Sequence, residues 1–223
     1  MTVVLVVLTF AIFILIGYFR NRKRMTVTAP KMQESGKPVT QAQSEYVCDF
    51  RLPAHFQYHP GHTWALRESP TLVRVGIDDL AGRFIGPAEE ILLPKRGTWI
   101  RQGQKIFTVL KNGSKVELVS PIEGEVTTIN EAVAKDPSLP GTDPYGKGWL
   151  LTVVSPDAET NFRNLLSGNL ARQWMTEAAN RLRANLPALT GAVAQDGGTA
   201  RGDLSVQLGD QTWSELAREL FLI

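Results

Sequence analysis

The first twenty residues constrain this chain most strongly, because they contain a long run without a charged side chain. Residues 2–19 are all uncharged, and nearly all of those between 3 and 16 are apolar. At about 1.5 Å per residue, a helix over this run is roughly 27 Å long, close to the thickness of the hydrocarbon core of a bilayer. The sequence therefore predicts one transmembrane helix over residues 1–20.

The charges behind the apolar run predict its orientation. Arg20, Arg22, Lys23 and Arg24 follow it directly, and basic residues collect on the cytoplasmic side of membrane helices. A cleavable signal peptide would instead carry basic residues before the apolar run and a small-residue cleavage site after it, and neither is present. We expect a single-pass protein of the inner (plasma) membrane whose soluble part lies on the cytoplasmic side.

Composition narrows the range of partners. The 24 Lys and Arg residues nearly balance the 22 Asp and Glu residues, giving a formal net charge of +2, so no strongly basic surface favours nucleic acid. Cys48 is the only cysteine, which excludes an intrachain disulfide framework. The expected partners are the membrane and protein subunits, and nucleic acid is not expected.

Behind the membrane segment, the pattern predicts a tether and then a β domain. Residues 21–47 form a basic flank and a polar stretch without an apolar period, typical of a flexible tether. Within residues 48–160, short β-branched runs alternate with turn residues, which indicates a mainly β sandwich or barrel. A short helix is expected at 78–84. The predicted strands are 73–77, 90–93, 105–110, 115–119, 125–129 and 150–154.

An amphipathic helical segment is predicted at residues 161–187. Its apolar residues recur every four positions. They are Leu170, Trp174, Ala178, Leu182 and Leu186.

Residues 188–223 are predicted to form a Gly-rich linker and a short C-terminal helix. Thr212 and Glu215 have capping-box spacing, so the helix is expected to start at Thr212. We expect the apolar face of this helix to fold back onto the main domain. The alternatives are that it docks onto a partner or onto the membrane surface. The residues of this face are Trp213, Leu216, Ala217, Leu220 and Phe221.

Four stretches of the β region resemble the H-protein of the glycine cleavage system, a lipoyl carrier with the hammerhead fold of lipoyl and biotinyl domains. The last stretch is the most specific and contains Asp143, Pro144, Tyr145, Gly146 and Trp149. The four stretches are 58–64, 75–97, 120–132 and 143–150. The resemblance implies a flattened β-barrel or sandwich with C-terminal helices and, in the family, a lipoyl group on a lysine at a hairpin tip.

The lysine implied by the resemblance is not at its expected position. The family's acceptor lies seven residues before the Ser of a Ser-Pro turn, and counting back from Ser120 leads to Gly113. Asn112 and Gly113 between two β runs predict an ordinary tight hairpin, because both residues tolerate positive φ. Lys111 and Lys115 flank the turn, so each is a weaker candidate for lipoylation, and otherwise both are expected at a solvated hairpin end.

The remaining candidate chemistry is weak. His55, His59 and His62 lie close together and Cys48 is upstream, which invites a zinc hypothesis. Pro60 makes the helix that would align the histidines unlikely to form, so no metal site is expected. No nucleophilic triad or phosphate-binding glycine loop stands out either. We expect no catalysis by this chain itself, and at most the role of a carrier component.

Three hypotheses follow. The leading one is a membrane-anchored, unlipoylated H-protein-like domain that serves as a non-catalytic accessory or scaffold subunit of a membrane-associated complex, without a cofactor. The alternative is a true carrier with lipoate on Lys115 or Lys111 that shuttles an aminomethyl or acyl group for partner enzymes. The third is a membrane-fusion-type export adaptor, which the basic flank disfavours because it predicts the cytoplasmic side.

The orientation can be tested by protease accessibility. In inverted inner-membrane vesicles an external protease should digest the β domain, because the positive flank retains it on the cytoplasmic face. In right-side-out vesicles the domain should survive until detergent is added. The opposite pattern of protection would place the domain in the periplasm and favour the export-adaptor hypothesis.

Overall fold

The computed structural model describes residues 46–111, 113–184 and 210–221. The predicted transmembrane helix and residues 21–45 of the predicted tether lie outside these residues. Tyr46–Val47 form a strand, so the predicted end of the tether at residue 47 is wrong. Within the described part of the chain, no helix is both long enough and apolar enough to cross a membrane. The described residues form a β domain with additional helices, so the prediction of a mainly β fold with C-terminal helices is confirmed for this part.

Eleven strands are described, and most are short. Their bounds are β1 Tyr46–Val47, β2 Phe50–Arg51, β3 Gln57–His59, β4 Thr63–Arg67, β5 Leu72–Ile77, β6 Glu90–Leu92, β7 Trp99–Ile100, β8 Lys105–Lys111, β9 Ser114–Val119, β10 Gly124–Ile129 and β11 Leu151–Val154. The six predicted runs correspond to β5, β6, β8, β9, β10 and β11, each within one residue at either end. The other strands were not among the predicted runs.

Six helices are described. They are α1 Asp79–Ile85, α2 Glu131–Lys135, α3 Leu139–Thr142, α4 Ala158–Arg163, α5 Gly168–Ala184 and α6 Asp210–Leu220. The strands form a six-stranded sheet in the order β3-β4-β5-β11-β10-β7, a three-stranded sheet in the order β6-β8-β9, and the small pair β1-β2. All neighbouring strands are antiparallel, and the buried apolar side chains form one cluster that includes residues of both larger sheets.

Helix α1 begins where the sequence predicts it. Asp78 is its N-cap, and its Oδ1 accepts a hydrogen bond of 2.8 Å from the backbone N–H of Ala81. The other oxygen of the carboxylate, Oδ2, lies 2.8 Å from Nδ1 of the buried His62. A side-chain acceptor at this position satisfies a donor that has no partner within the helix. The helix ends at Gly86, whose φ is +64°.

The predicted apolar row of α5 is wrong in part. Leu170 is 66% exposed, and Trp174 is only partly buried. The reason is geometric: at 3.6 residues per turn, a row with a constant step of four drifts around the helix, and a straight stripe must mix steps of three and four. The buried stripe is Ala171, Met175, Ala178, Ala179 and Leu182.

The fold-back of the C-terminal helix is confirmed, although its predicted start is wrong. Helix α6 begins at Asp210, two residues before Thr212. Each residue of the predicted apolar face is at most 5% exposed. The ring of Trp213 stacks on that of Phe84 in α1, with 5.6 Å between centroids and 7° between planes. The helix is therefore packed onto the family-like domain, as the sequence favoured.

The close fit of the core can be tested at Gly76. This residue pairs with Trp64 across β4 and β5, and a Cβ atom at Gly76 would overlap the fully buried indole ring. Gly76→Ala should lower the free energy of unfolding by roughly 3 kcal/mol, because the tight packing leaves no room for a methyl group. The measurement is urea denaturation of the full chain in detergent.

The matched control for this experiment is Gly103→Ala. A Cβ atom at Gly103 would meet nothing within 4 Å, so only its φ of +79° opposes the change. That strain is about 1 kcal/mol. Equal destabilisation by the two substitutions would contradict the packing described around Trp64.

Candidate functional site

The hairpin formed by β8 and β9 contains the position at which the resemblance expects a modified lysine. Lys111 pairs with Ser114 and Leu110 pairs with Lys115, so only two residues connect the strands. Asn112 lies outside the described residues, whereas Gly113 is described and has φ of +72°. A Cβ atom at Gly113 would meet nothing within 4 Å. The two-residue hairpin predicted from the Asn-Gly pair is confirmed, and its tip offers no side-chain amine.

Lys111 is not at a solvated hairpin end, and that prediction is wrong for this residue. Its side chain is buried, with 8% of the residue exposed, and its ammonium group donates a hydrogen bond to the carbonyl oxygen of Ile85. Ile85 is the last residue of α1, where carbonyl groups lack a partner within the helix and a positive charge is favourable. The structure gives Lys111 the role of capping α1.

The alternation of β8 explains why Lys111 is buried. Phe107 and Val109 are buried core residues on this strand, and side chains two positions apart lie on the same face of a strand. Lys111 is the next residue on that inward face. The alternation of side chains along β8 could be seen in the sequence, but the proximity of the end of α1 to Lys111 could not.

Lys115 differs from Lys111 in both exposure and partner. Its side chain is 57% exposed, and its Nζ lies 2.8 Å from Oε1 of Glu117. Lys105 lies 3.7 Å from the other carboxylate oxygen. The hydrogen bond from Lys115, followed by the charges of both lysines, holds the pKa of Glu117 below its ordinary value. Of the two candidate acceptors, Lys115 is the accessible amine.

The structure does not bring the histidines and the cysteine together as a metal site. His55 is exposed, His59 is partly buried and His62 is buried. Among the described residues, no three His, Cys, Asp or Glu side chains are grouped to hold a metal ion. His62 instead pairs with Asp78 and lies against the ring of Trp174, with 4.6 Å between centroids. Burial, followed by the nearby His62, lowers the pKa of His59.

The specific motif at 143–150 supports the domain rather than a reaction. The hydroxyl of Tyr145 donates to the carbonyl oxygen of Arg51 at 2.8 Å, and that of Tyr58 donates to the carbonyl oxygen of Pro53 at 2.9 Å. Burial raises the pKa of both tyrosines. Both hydroxyl groups therefore stay protonated and hold the backbone at Arg51 and Pro53, a role that the sequence did not reveal.

Comparison with known proteins identifies the family of this domain. The family model described as "Glycine cleavage H-protein" matches residues 56–178, which is more than half of the chain. The chain belongs to the glycine cleavage H-protein family. The resemblance noted from the sequence is thereby confirmed as to family, and such proteins are carrier components rather than catalysts. The absence of a lipoyl-lysine and the membrane anchor remain predictions.

Individual relatives show how much of an H-protein this chain contains. The glycine cleavage system H protein of Mycobacterium avium is 34% identical over 129 residues, which cover 56% of this chain and 98% of the relative. The probable glycine cleavage system H protein 2 of Sulfurisphaera tokodaii is 33% identical over 117 residues, covering 52% of this chain and 78% of the relative. Almost the whole length of the mycobacterial H-protein is thus matched.

Similar chains are also found among solved structures. The crystal structure of a glycine cleavage system H protein from Mycobacterium marinum has 27% sequence identity and a TM-score of 0.49, and it covers 56% of this chain and 98% of that chain.

The different roles of the two lysines in this H-protein predict different mutational effects. Lys111→Met should lower the free energy of unfolding by roughly 1–3 kcal/mol, because it leaves a buried carbonyl oxygen without a donor. Lys115→Met should change it far less, since exposed ion pairs contribute little. Denaturant titration of the two variants checks this, and equal effects would contradict the buried position of Lys111.

Proposed function

We propose that this chain is a membrane-anchored H-protein that carries no lipoyl group and serves as a non-catalytic accessory or scaffold subunit of a membrane-associated complex. The observation that carries the proposal is Gly113, which stands at the tip of the hairpin with φ of +72°. A glycine has no side chain to acylate, so the residues at this tip do not fit lipoate. The retained H-protein fold then supplies a surface for protein partners.

The lysines beside the tip support this reading to different degrees. The ammonium group of Lys111 donates to the carbonyl oxygen of Ile85 and is buried, whereas an acylated arm must move between separate partner sites. Lys115 is paired with Glu117 and lies on β9 rather than in the turn. Neither lysine occupies the place from which a carrier arm extends freely.

The predicted membrane anchor is the basis for proposing that this subunit acts at a membrane. The apolar run at 2–19 and the basic residues directly behind it favour a single span with the H-protein domain in the cytoplasm. A tether of residues 21–47 would let the domain reach a complex at the same membrane. An anchor of this kind suits a subunit that holds partners at one surface.

A carrier with lipoate on Lys115 is the second candidate, and the exposure of this side chain favours it. With 57% of its side chain exposed, Lys115 is the one of the two candidate amines that a ligase could reach. The substrate would then be an aminomethyl or acyl group passed between partner enzymes. The export-adaptor reading has less support, because β8 and β9 pair directly up to Lys111 and Ser114 and leave no room there for an inserted helical hairpin.

Intact mass measurement distinguishes the first two candidates. After expression in a lipoylating host, the full chain should show its unmodified mass, because Gly113 offers no amine. A stoichiometric lipoyl adduct that disappears in Lys115→Arg would refute the proposal and establish the carrier.

Gly113→Lys is the positive control for that experiment. Space is open around Gly113, and the positive φ costs only about 1 kcal/mol for a residue with a side chain. We expect this variant to fold and to gain one adduct. An adduct in this variant and none in the natural chain would show that the missing lysine, rather than an inaccessible hairpin, prevents modification.

A further inference from the structure

Helix α6 is an addition to the H-protein domain. The family match ends at residue 178, and α6 begins at Asp210. The alignment with the mycobacterial H-protein has 129 residues and already uses 98% of that relative. The stretch from the start of the family range at residue 56 to Asp210 is longer than the 129 aligned residues, so an alignment that contains the family range does not reach Asp210. The mycobacterial protein therefore has almost no residues left to form a corresponding helix.

The contact of α6 with the domain is made by side chains. Two aromatic residues, eight positions apart, anchor its ends: Trp213 stacks on Phe84, and Phe221 lies 5.7 Å from the ring of Phe84 and 6.0 Å from that of His62. The indole N–H of Trp213 donates to the carbonyl oxygen of Phe84 at 3.0 Å. This is the contact mode of an amphipathic helix bound in a groove.

Polar contacts between α6 and the rest of the described residues are few. Among the described residues, no backbone hydrogen bond joins α6 to another element. The ion pair between Arg181 and Glu219 spans 3.8 Å with both side chains more than half exposed, and such pairs contribute little to stability. The attachment thus depends on the apolar face and on the covalent connection through residues 185–209.

The surface under α6 is apolar and belongs to the family domain. It includes Phe84 near the end of α1, which is fully buried and stacks on Trp213 of α6, and strand β9, which leads away from the hairpin tip. An uncovered apolar patch on a soluble domain marks an interaction site. In this chain, α6 covers this apolar surface of the H-protein domain beside the hairpin.

We propose that α6 is an autoinhibitory helix. It belongs to the same chain as the surface that it occupies, and it prevents another helix from binding there until it is released. A helix tethered to its site has an effective concentration in the millimolar range, so an identical helix added in solution cannot compete with it. Once the tether is cut, the same helix exchanges freely. The proposal does not depend on whether the hairpin is modified.

The test uses the full chain with a site-specific protease sequence inserted between Gly197 and Gly198. A fluorescent peptide of residues 208–223 is added before and after cleavage, and its anisotropy is followed. We expect no binding to the uncut chain and binding to the cut chain. A control peptide with Trp213→Ala and Phe221→Ala should bind roughly 100-fold more weakly, since aromatic anchors dominate such contacts.

Three results would overturn the proposal. Equal binding of the peptide to cut and uncut chains would show that it binds elsewhere. No entry of the peptide into the cut chain would show that α6 does not exchange. Loss of the β circular-dichroism signal when α6 leaves would show that α6 is part of the core. The intact mass of the uncut chain, which tests the proposed function, is unaffected by any of these results.

Discussion

Two carbonyl groups at the end of helix α1 attach both the hairpin and the C-terminal helix to the same place. Carbonyls in the last turn of a helix lack partners within it and require donors from elsewhere when they are buried. Lys111 donates to the oxygen of Ile85 from the hairpin, and Trp213 donates to the oxygen of Phe84 from α6. One short helix thus contacts two segments, the hairpin and α6, that are far from each other in sequence.

This arrangement alters what the hairpin can do. In a lipoyl carrier the tip must hold an amine in solvent so that its arm can move, whereas here the last residue of β8 points inward to a helix end. Gly113 completes a tight turn for which a positive φ is suited. Gly113 offers no amine for transfer, and the proposed scaffold role depends on this observation.

The sequence was sufficient for the features that depend on local chemistry. The Asn-Gly turn, the short helix near 78–84 and six strands could be predicted, because turn residues, helix-start residues and alternation act over a few positions. The burial of Lys111 could not, since it depends on α1, which is distant along the chain and adjacent in space. The buried face of α5 was misplaced for a different reason: a constant four-residue step ignores the drift of the helix.

The most direct test of the central claim is peptide mass mapping of the protein isolated from its own cells. The peptides that cover Lys111, Gly113 and Lys115 should have unmodified masses, while an H-protein with a lysine at the tip, measured in the same way, shows its lipoyl adduct. A stoichiometric adduct on either lysine of the native protein would contradict the account and identify a working carrier.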